Sequence, residues 1–290
     1  METKNARIDF LSLDIDYGPE QSKNIIPKEI LEKLMKYINA LDPKDKKETY
    51  ILDNQVIFLD DYEIKDENKL LLKFSSVKYN HVRDVLDTDK MTKVPKKKKT
   101  PIEGDIENTH VIIHLLPTFI DVYVEYSHNG ARESKIFQYL NDKAEKMIEE
   151  NSDLLKLDLS YDYYFDKNFL DMLLKKDQKE LRKIELLCED STDPFLAING
   201  RNEKFKKTII YQPKDSRTSI LKSEIKKLYE DFNKKYSRIR IKNSKGSTIL
   251  DTDQLKKKEI IKVKINNSNE IISPSIFHEI EKLIKKAHTN

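Results

Sequence analysis

Apolar and polar residues alternate from Arg7 to Tyr17, with Leu11, Leu13, Ile15 and Tyr17 on one side and Ser12, Asp14 and Asp16 on the other. A period of two over that length predicts a half-buried strand. Pro27 opens a run in which Ile30, Leu31, Leu34, Ile38 and Leu41 keep helical spacing, and Asp42-Pro43 closes it. Two strands are expected at Glu48 to Leu52 and Gln55 to Leu59, hinged at Asp53-Asn54, with a third from Lys69 to Ser76. The pattern then stops. Asp84 to Glu107 contains Lys93-Val94-Pro95-Lys96-Lys97-Lys98-Lys99-Thr100-Pro101 and almost no apolar residues, the composition of a solvated linker or long loop.

Periodicity resumes with apolar strands at Thr109 to Leu116 and Phe119 to Tyr126, and Ser127-His128-Asn129-Gly130 has turn chemistry. A helix is expected from about Arg132 to Glu150, an alternating strand from Leu154 to Tyr164, a short helix from Phe169 to Lys175 and strands at Arg182 to Cys188 and within Phe205 to Tyr211. A long helix from about Arg217 to Tyr236 precedes strand Ser237 to Asn243, a turn at Ser244-Lys245-Gly246-Ser247 and strand Glu259 to Asn266. Ser273-Pro274 then reads as the cap and first turn of a final helix with Ile276, Ile280, Leu283, Ile284 and Ala287 inward. Together these elements predict an α+β fold, with mixed sheets and packed helices in two globular parts joined by a Lys/Pro-rich linker or long loop. The expected division is 1–83, a β-α-β unit; 84–107, a basic linker; 108–200, an acidic central α+β unit; and 201–290, a basic C-terminal α+β unit.

Composition narrows the class. There are 290 residues, 38% hydrophobic and 36% charged, enough chain for a core without staples. No run of about 18 apolar residues occurs, so membrane insertion is not expected. The opening Met1 to Arg7 leads directly into a strand pattern, without the apolar stretch of a signal peptide. Cys188 is the only cysteine and sits in an apolar run, which excludes a disulfide framework and fits a small buried hydrophobe. Neither GxGxxG nor GxxxxGK[ST] occurs, and no cofactor is expected. These features point to a cytoplasmic protein.

The formal charge of +3 conceals a strong segregation. Residues 1–89 are net −5, 90–100 net +6, 101–199 net −10 and 200–290 net +12. Such asymmetry indicates a polyanionic partner or contact between acidic and basic parts. On the strand near residue 240, Arg238, Arg240 and Lys242 alternate with Ile239 and Ile241; near residue 263, Lys262 and Lys264 alternate with Ile261, Val263 and Ile265. If the two strands share a sheet, five cations lie on one surface, with Lys96, Lys97, Lys98 and Lys99 of the loop as further phosphate contacts. Only eight of the 54 basic residues are arginine. Lysine neutralises phosphate without the fork that reads base edges, so affinity without sequence preference is expected.

Catalytic patterns are weaker. His110 and His114 lie four apart in a strand, about 13 Å, too far to share an ion. His128 sits in a turn without a recognisable nucleophile or carboxylate partner. Asp158, Asp162 and Asp166 have carboxylates for magnesium but read more simply as the wet side of an alternating strand. Asp53 with Glu63-Ile64-Lys65 is a nuclease-like set that could hold a divalent metal and orient water.

The layout resembles the Rex-type phage-exclusion proteins, in particular the RexA-like component, and related bacterial defence proteins. The similarity runs through the N-terminal strand-helix-hairpin and the basic excursion from Asp84 to Gly104. It continues through Asn108-Thr109-His110-Val111-Ile112-Ile113 and through Glu125-Tyr126-Ser127-His128-Asn129-Gly130, leading into Ile136-Phe137-Gln138-Tyr139-Leu140. Ile239-Arg240-Ile241-Lys242-Asn243, Gly246, Ile249-Leu250 and the final helix complete it. The resemblance implies a two-part α+β protein that self-associates and contacts DNA non-specifically, with no active site to carry over. The acidic middle block departs from it. The leading expectation is a non-enzymatic phage-defence protein that binds nucleic acid, with a partner defence protein and a second copy of the chain as further partners. The alternatives are a protein-interaction component and a metal-dependent nuclease.

Overall fold

The computed structural model describes residues 2–17, 26–66, 68–79, 85–87, 92–94, 103–150, 156–164, 182–191, 205–215, 223–224, 238–242, 248–251 and 256–289. The class is α+β, and every described strand pairing is antiparallel, where mixed sheets were expected. Compact unit 1 comprises Met1–Tyr163 and Lys258–Asn290, and unit 2 comprises Tyr164–Lys257.

Unit 1 is built on β1 (Thr3–Asp16), β2 (Glu48–Tyr50), β3 (Gln55–Lys65), β4 (Lys69–Lys78), β7 (Asp105–Leu115), β8 (Ile120–Tyr126), β9 (Asp158–Tyr163) and β14 (Lys258–Lys264). The sheet order is β14-β1-β8-β7-β4-β3-β2. A short hairpin, β5 (Val85–Asp87) with β6 (Thr92–Val94), lies between β4 and β7. Because β4 pairs with β7 from Lys69↔His114 to Lys78↔Asp105, both sides of residues 84–107 belong to one sheet. That stretch is an excursion between neighbouring strands and does not join two globular parts. Lys96, Lys97, Lys98 and Lys99 fall outside the described residues.

β1 has a different partner on each part of one edge. Residues 3–9 pair with β14 and residues 11–16 with β9, while β8 occupies the other edge. The chain leaves unit 1 at Tyr163, opposite Leu11, and returns at Lys258, opposite Asp9. Those β1 positions are two residues apart, about 7 Å. Unit 2 is thus an insertion, and the Lys257 N–H donates to the Tyr164 carbonyl at 2.6 Å where it begins and ends. The charge-based boundary near residue 200 falls inside it. Its sheet runs β11 (Phe205–Tyr211), β10 (Lys183–Ser191), β12 (Arg238–Lys242), β13 (Thr248–Asp251). The predicted helices at 169–175 and 217–236 lie essentially outside the described residues.

Alternation gives the unit 1 sheet two buried faces. One receives α1 (Pro27–Ala40) and α3 (Glu133–Glu150). Ile30, Leu31, Leu34 and Ile38 of α1 and Ile136, Tyr139, Leu140 and Met147 of α3 pack there on Leu11, Leu59, Leu72, Phe74, Val111 and Val122. On the other face α4 (Ser273–Thr289) buries Ile276, Ile280 and Ile284, and β14 with the residue that follows it buries Ile261, Val263 and Ile265. Asn54, in the hinge before β3, adopts the left-handed conformation (φ 48°) that asparagine tolerates in turns. In the turn after β8, Gly130 lies so close to β7 that a Cβ there would sit 2.5 Å from Thr109 Oγ1.

One buried cation fixes the α3 side. Lys143 Nζ bonds Glu48 Oε1 at 2.6 Å and also donates to the carbonyl of Asp45 in α2 (Pro43–Lys46). Burial alone would raise the Glu48 carboxyl, but hydrogen bonds from Lys143 and Lys146 outweigh it and hold that group below its ordinary range.

Two outcomes follow from this architecture. Replacing residues 165–256 by a short Gly/Ser linker should leave unit 1 folded, with a β-rich circular-dichroism spectrum and one cooperative thermal transition. Lys143→Met should cost about 1–3 kcal/mol in denaturant unfolding, because it leaves the Asp45 carbonyl without this donor and Glu48 with Lys146 as its remaining cation. A carboxyl held below its unfolded pKa stabilises above that value and ceases to as pH falls through the folded one. Wild-type stability should therefore drop on acidification below the usual carboxylate range, and Lys143→Met should shrink that dependence.

Candidate nucleic-acid interface

The predicted basic residues separate into two environments. β12 lies in the unit 2 sheet and β14 at the edge of the unit 1 sheet, so the five cations do not share one sheet surface. Ile239 and Ile241 are buried as expected. β12, however, lies between β10 and β13, which brings Glu185 and Asp251 opposite Arg240. Lys242 Nζ is 2.9 Å from Glu185 Oε1, which Lys183 also contacts at 2.8 Å. The first cause of the lowered Glu185 pKa is the Lys183 hydrogen bond, and that of Lys242 adds to it. Lys242 is thus neutralised within unit 2. The side chain of Arg238 lies outside the described residues.

β14 has the opposite character. Its apolar side faces α4, and its other side, Lys258, Ile260, Lys262 and Lys264, is exposed. Helices α1 and α3 do not cover this end of the sheet: Thr3 and Asn5 of β1, opposite Lys264 and Lys262, are exposed too. None of the three lysine side chains makes an ion pair with a described residue. One row across the strands runs Ile260, Arg7, Tyr126. The Arg7 guanidinium lies 4.3 Å and that of Arg132 4.0 Å from the Tyr126 ring centroid, cation–π distances. Arg132 also donates to the Tyr126 hydroxyl at 3.0 Å. On this side β14, β1 and β8 carry one carboxylate in their register positions, Asp9, and Arg7 grips it at 2.7 and 2.9 Å.

Sequence reasoning identified Lys262 and Lys264 but missed Lys258, Arg7, Arg132 and Tyr126. Lys258 shares the parity of the other two and lies one residue before the strand start that the sequence pattern predicts. The remaining three become neighbours only through the pairing of β1 with β8 and the turn into α3, which no local pattern encodes.

The α4 side of the sheet holds an unexpected polar chain. Glu125 Oε2 lies 2.6 Å from His110 Nδ1 and accepts the His110 backbone N–H at 3.1 Å, and His110 Nε2 lies 2.8 Å from Ser273 Oγ. An ionised carboxylate only accepts, so Nδ1 donates to it, and a neutral imidazole then accepts the serine proton at Nε2. Nucleophile, base and acid follow in the order of a hydrolase relay. Two observations oppose that use. His110 is 0% exposed, which shuts substrate away from the base. Pro274, next to Ser273, has no N–H, and the N–H groups of Ser275 and Ile276 are both spent on the Ile272 carbonyl, leaving none of these three to hold an oxyanion. The chain is a clasp that ties the first turn of α4 to β7 and β8. Ser273 is the first helical residue, and its hydroxyl serves His110 where a capping role was expected.

The other candidates do not assemble. His114 lies on the same side of β7 as His110, opposite Asp121, with Asn68 Nδ2 3.3 Å from its Nε2. Asp53 pairs with Lys135 at 2.9 Å and Lys65 with Glu281 at 2.7 Å. Glu63 is eight residues along β3 from Gln55, about 26 Å, so the nuclease-like set does not converge. Asp158 and Asp162 form the exposed side of β9, with Leu157 and Leu159 buried, and Asp166 lies outside the described residues. Partial desolvation of its carboxyl against the sheet, then the nearby Asp14, raises Asp162 although the residue is exposed overall. His128 is exposed in its turn, and the Cys188 side chain falls outside the described residues. Among the described residues no group of three or more His, Cys, Asp or Glu side chains is placed to hold a metal ion, and no helix is long and apolar enough to cross a membrane.

No protein-family model matches the chain. No curated protein is detectably similar to it.

Ser273→Ala should lower unfolding stability by about 1–3 kcal/mol, the cost of leaving His110 Nε2 buried without its partner. The wild type should resist labelling by a serine-directed fluorophosphonate; a labelled Ser273 peptide would reinstate the hydrolase interpretation.

Proposed function

We propose that the protein binds nucleic acid through the exposed face of β14, β1 and β8, by charge and without reading base sequence. The observation that carries this is the trio Lys258, Lys262 and Lys264, exposed and without ion-pair partners among the described residues, on a surface whose register positions hold one carboxylate, already bound by Arg7. Cations left without counter-charges on one sheet surface repel each other, and a polyanion relieves that repulsion. Lysine supplies phosphate contacts, which position a nucleic acid but carry no sequence information. DNA bound in phage defence is the setting that the RexA-like resemblance implies. A protein-interaction role is the second reading, favoured by Ile51 and Leu52, which are 77% and 100% exposed beside one another before β3.

Fluorescence anisotropy with labelled DNA, duplex and single-stranded, across a salt series tests the proposal. Binding should weaken steeply with salt, with a log–log slope of roughly −0.9 per duplex phosphate contacted. Replacing Lys258, Lys262 and Lys264 together by Gln should flatten the duplex slope by about two to three and weaken unrelated sequences alike. Each exposed substitution should change stability by no more than about 0.5 kcal/mol. No binding of either form at low salt would overturn the proposal in favour of the protein-interaction reading.

A further inference from the structure

The composition of the basic face discriminates between the forms of nucleic acid. Ile260 is 60% exposed, and Lys258 and Lys262 flank it on the same side of β14. An edge strand gains protection from lysine, which blocks unwanted pairing, whereas an exposed β-branched apolar residue on such a strand works against it. Burial does not require isoleucine here, because the packing role of β14 is met on the other side by Ile261, Val263 and Ile265 against α4. The apolar side chain is thus open to contact with a ligand.

Duplex DNA makes poor use of this position. Its bases are stacked on one another, and its outer surface is sugar and phosphate. Their edges are reached by an α-helix or a two-stranded ribbon entering the major groove. Ile260 lies on the edge strand of a sheet, and its row continues into Arg7 and Tyr126 on the next two strands, so the patch around it is a sheet surface three strands across. A single strand presents unstacked bases to such a surface, and sheet proteins that bind single strands combine cations for the backbone with apolar, aromatic or guanidinium planes for the bases. Both kinds of group are present. The lysines stand on either side of Ile260, and Arg7 and Arg132 are held against the Tyr126 ring as planar, weakly hydrated cations.

We infer that this face takes single-stranded nucleic acid in preference to duplex, with a base packed on Ile260 and the backbone on Lys258, Lys262 and Lys264. The inference rests on the nucleic-acid reading above and adds the form of the ligand. The juxtaposition of an exposed isoleucine with lysines that pair with no described residue, on the open end of a sheet backed by α4, carries it.

The test compares a labelled 20-nucleotide single strand with the 20-base-pair duplex of the same sequence, at one salt concentration, on the full chain. The wild type should bind the single strand at least about fivefold more tightly. Ile260→Ser should weaken single-strand binding about fivefold or more and leave duplex binding within about twofold. Ile260→Phe, which enlarges the stacking surface, should strengthen single-strand binding. Lys262→Gln should weaken both forms. Because Ile260 is exposed, all three variants should keep the wild-type thermal transition, which is checked first. Equal or tighter duplex binding would overturn the inference while leaving the nucleic-acid reading intact. So would Ile260 variants that move neither form, or both equally. Failure of the wild type to bind either form would remove both.

Discussion

Pairing along β1 governs the rest of the molecule. One edge of this fourteen-residue strand is shared end to end by two partners, β14 and β9, that are far apart in the chain. That sharing makes residues 164–257 an insertion, brings the C-terminal segment back to the N-terminus and leaves β14 at the rim of the sheet. Without it Lys258, Lys262 and Lys264 would not share a surface with Arg7, Tyr126 and Arg132.

Among the described residues, the ionised groups most withdrawn from water around this sheet are met by an opposite charge or a hydrogen-bond partner. Asp9 is held by both nitrogens of the Arg7 fork, Lys143 by Glu48 and backbone carbonyls, and Glu125 by His110. Buried charges cost several kcal/mol each unless so matched, and removing one member leaves the other stranded. The matching also determines which cations remain for a ligand. Arg7 and Lys242 are occupied by carboxylates, and the β14 lysines pair with none among the described residues.

Much of the architecture was legible in the sequence. The alternation at Leu11, Leu13 and Ile15, the α1 stripe from Ile30 to Ile38 and the Ile261, Val263, Ile265 series each place an element and its buried side. These signals are local, because side-chain direction follows backbone periodicity. The pairing of strands was not legible. Nothing in Lys69 to Ser76 announces that its neighbour is β7, thirty residues on across a lysine-rich excursion, so the composition shift mimics a domain boundary. Charge blocks misled for the same reason. Residues 200–290 are net basic in sequence, yet the fold sends Arg240 and Lys242 to one sheet, beside Glu185, and Lys262 and Lys264 to another. The His110 clasp escaped because its serine is 163 residues away, and Ser273-Pro274 already had a sufficient local explanation as a helix start.

The split edge of β1 also sets an order of events during synthesis. Its partners β8 and β9 emerge within the first 163 residues, but β14 and α4 follow only after the whole insertion has been made. At about 5–20 residues per second, translation from the end of β9 to the end of α4 takes roughly 6–25 s. For that interval residues 3–9 of the nascent chain offer an unsatisfied backbone ladder, and Ala6 and Ile8 have no helix over them. The growing polypeptide is then a natural client for a ribosome-associated chaperone, and premature termination inside unit 2 would release a product with an adhesive rim.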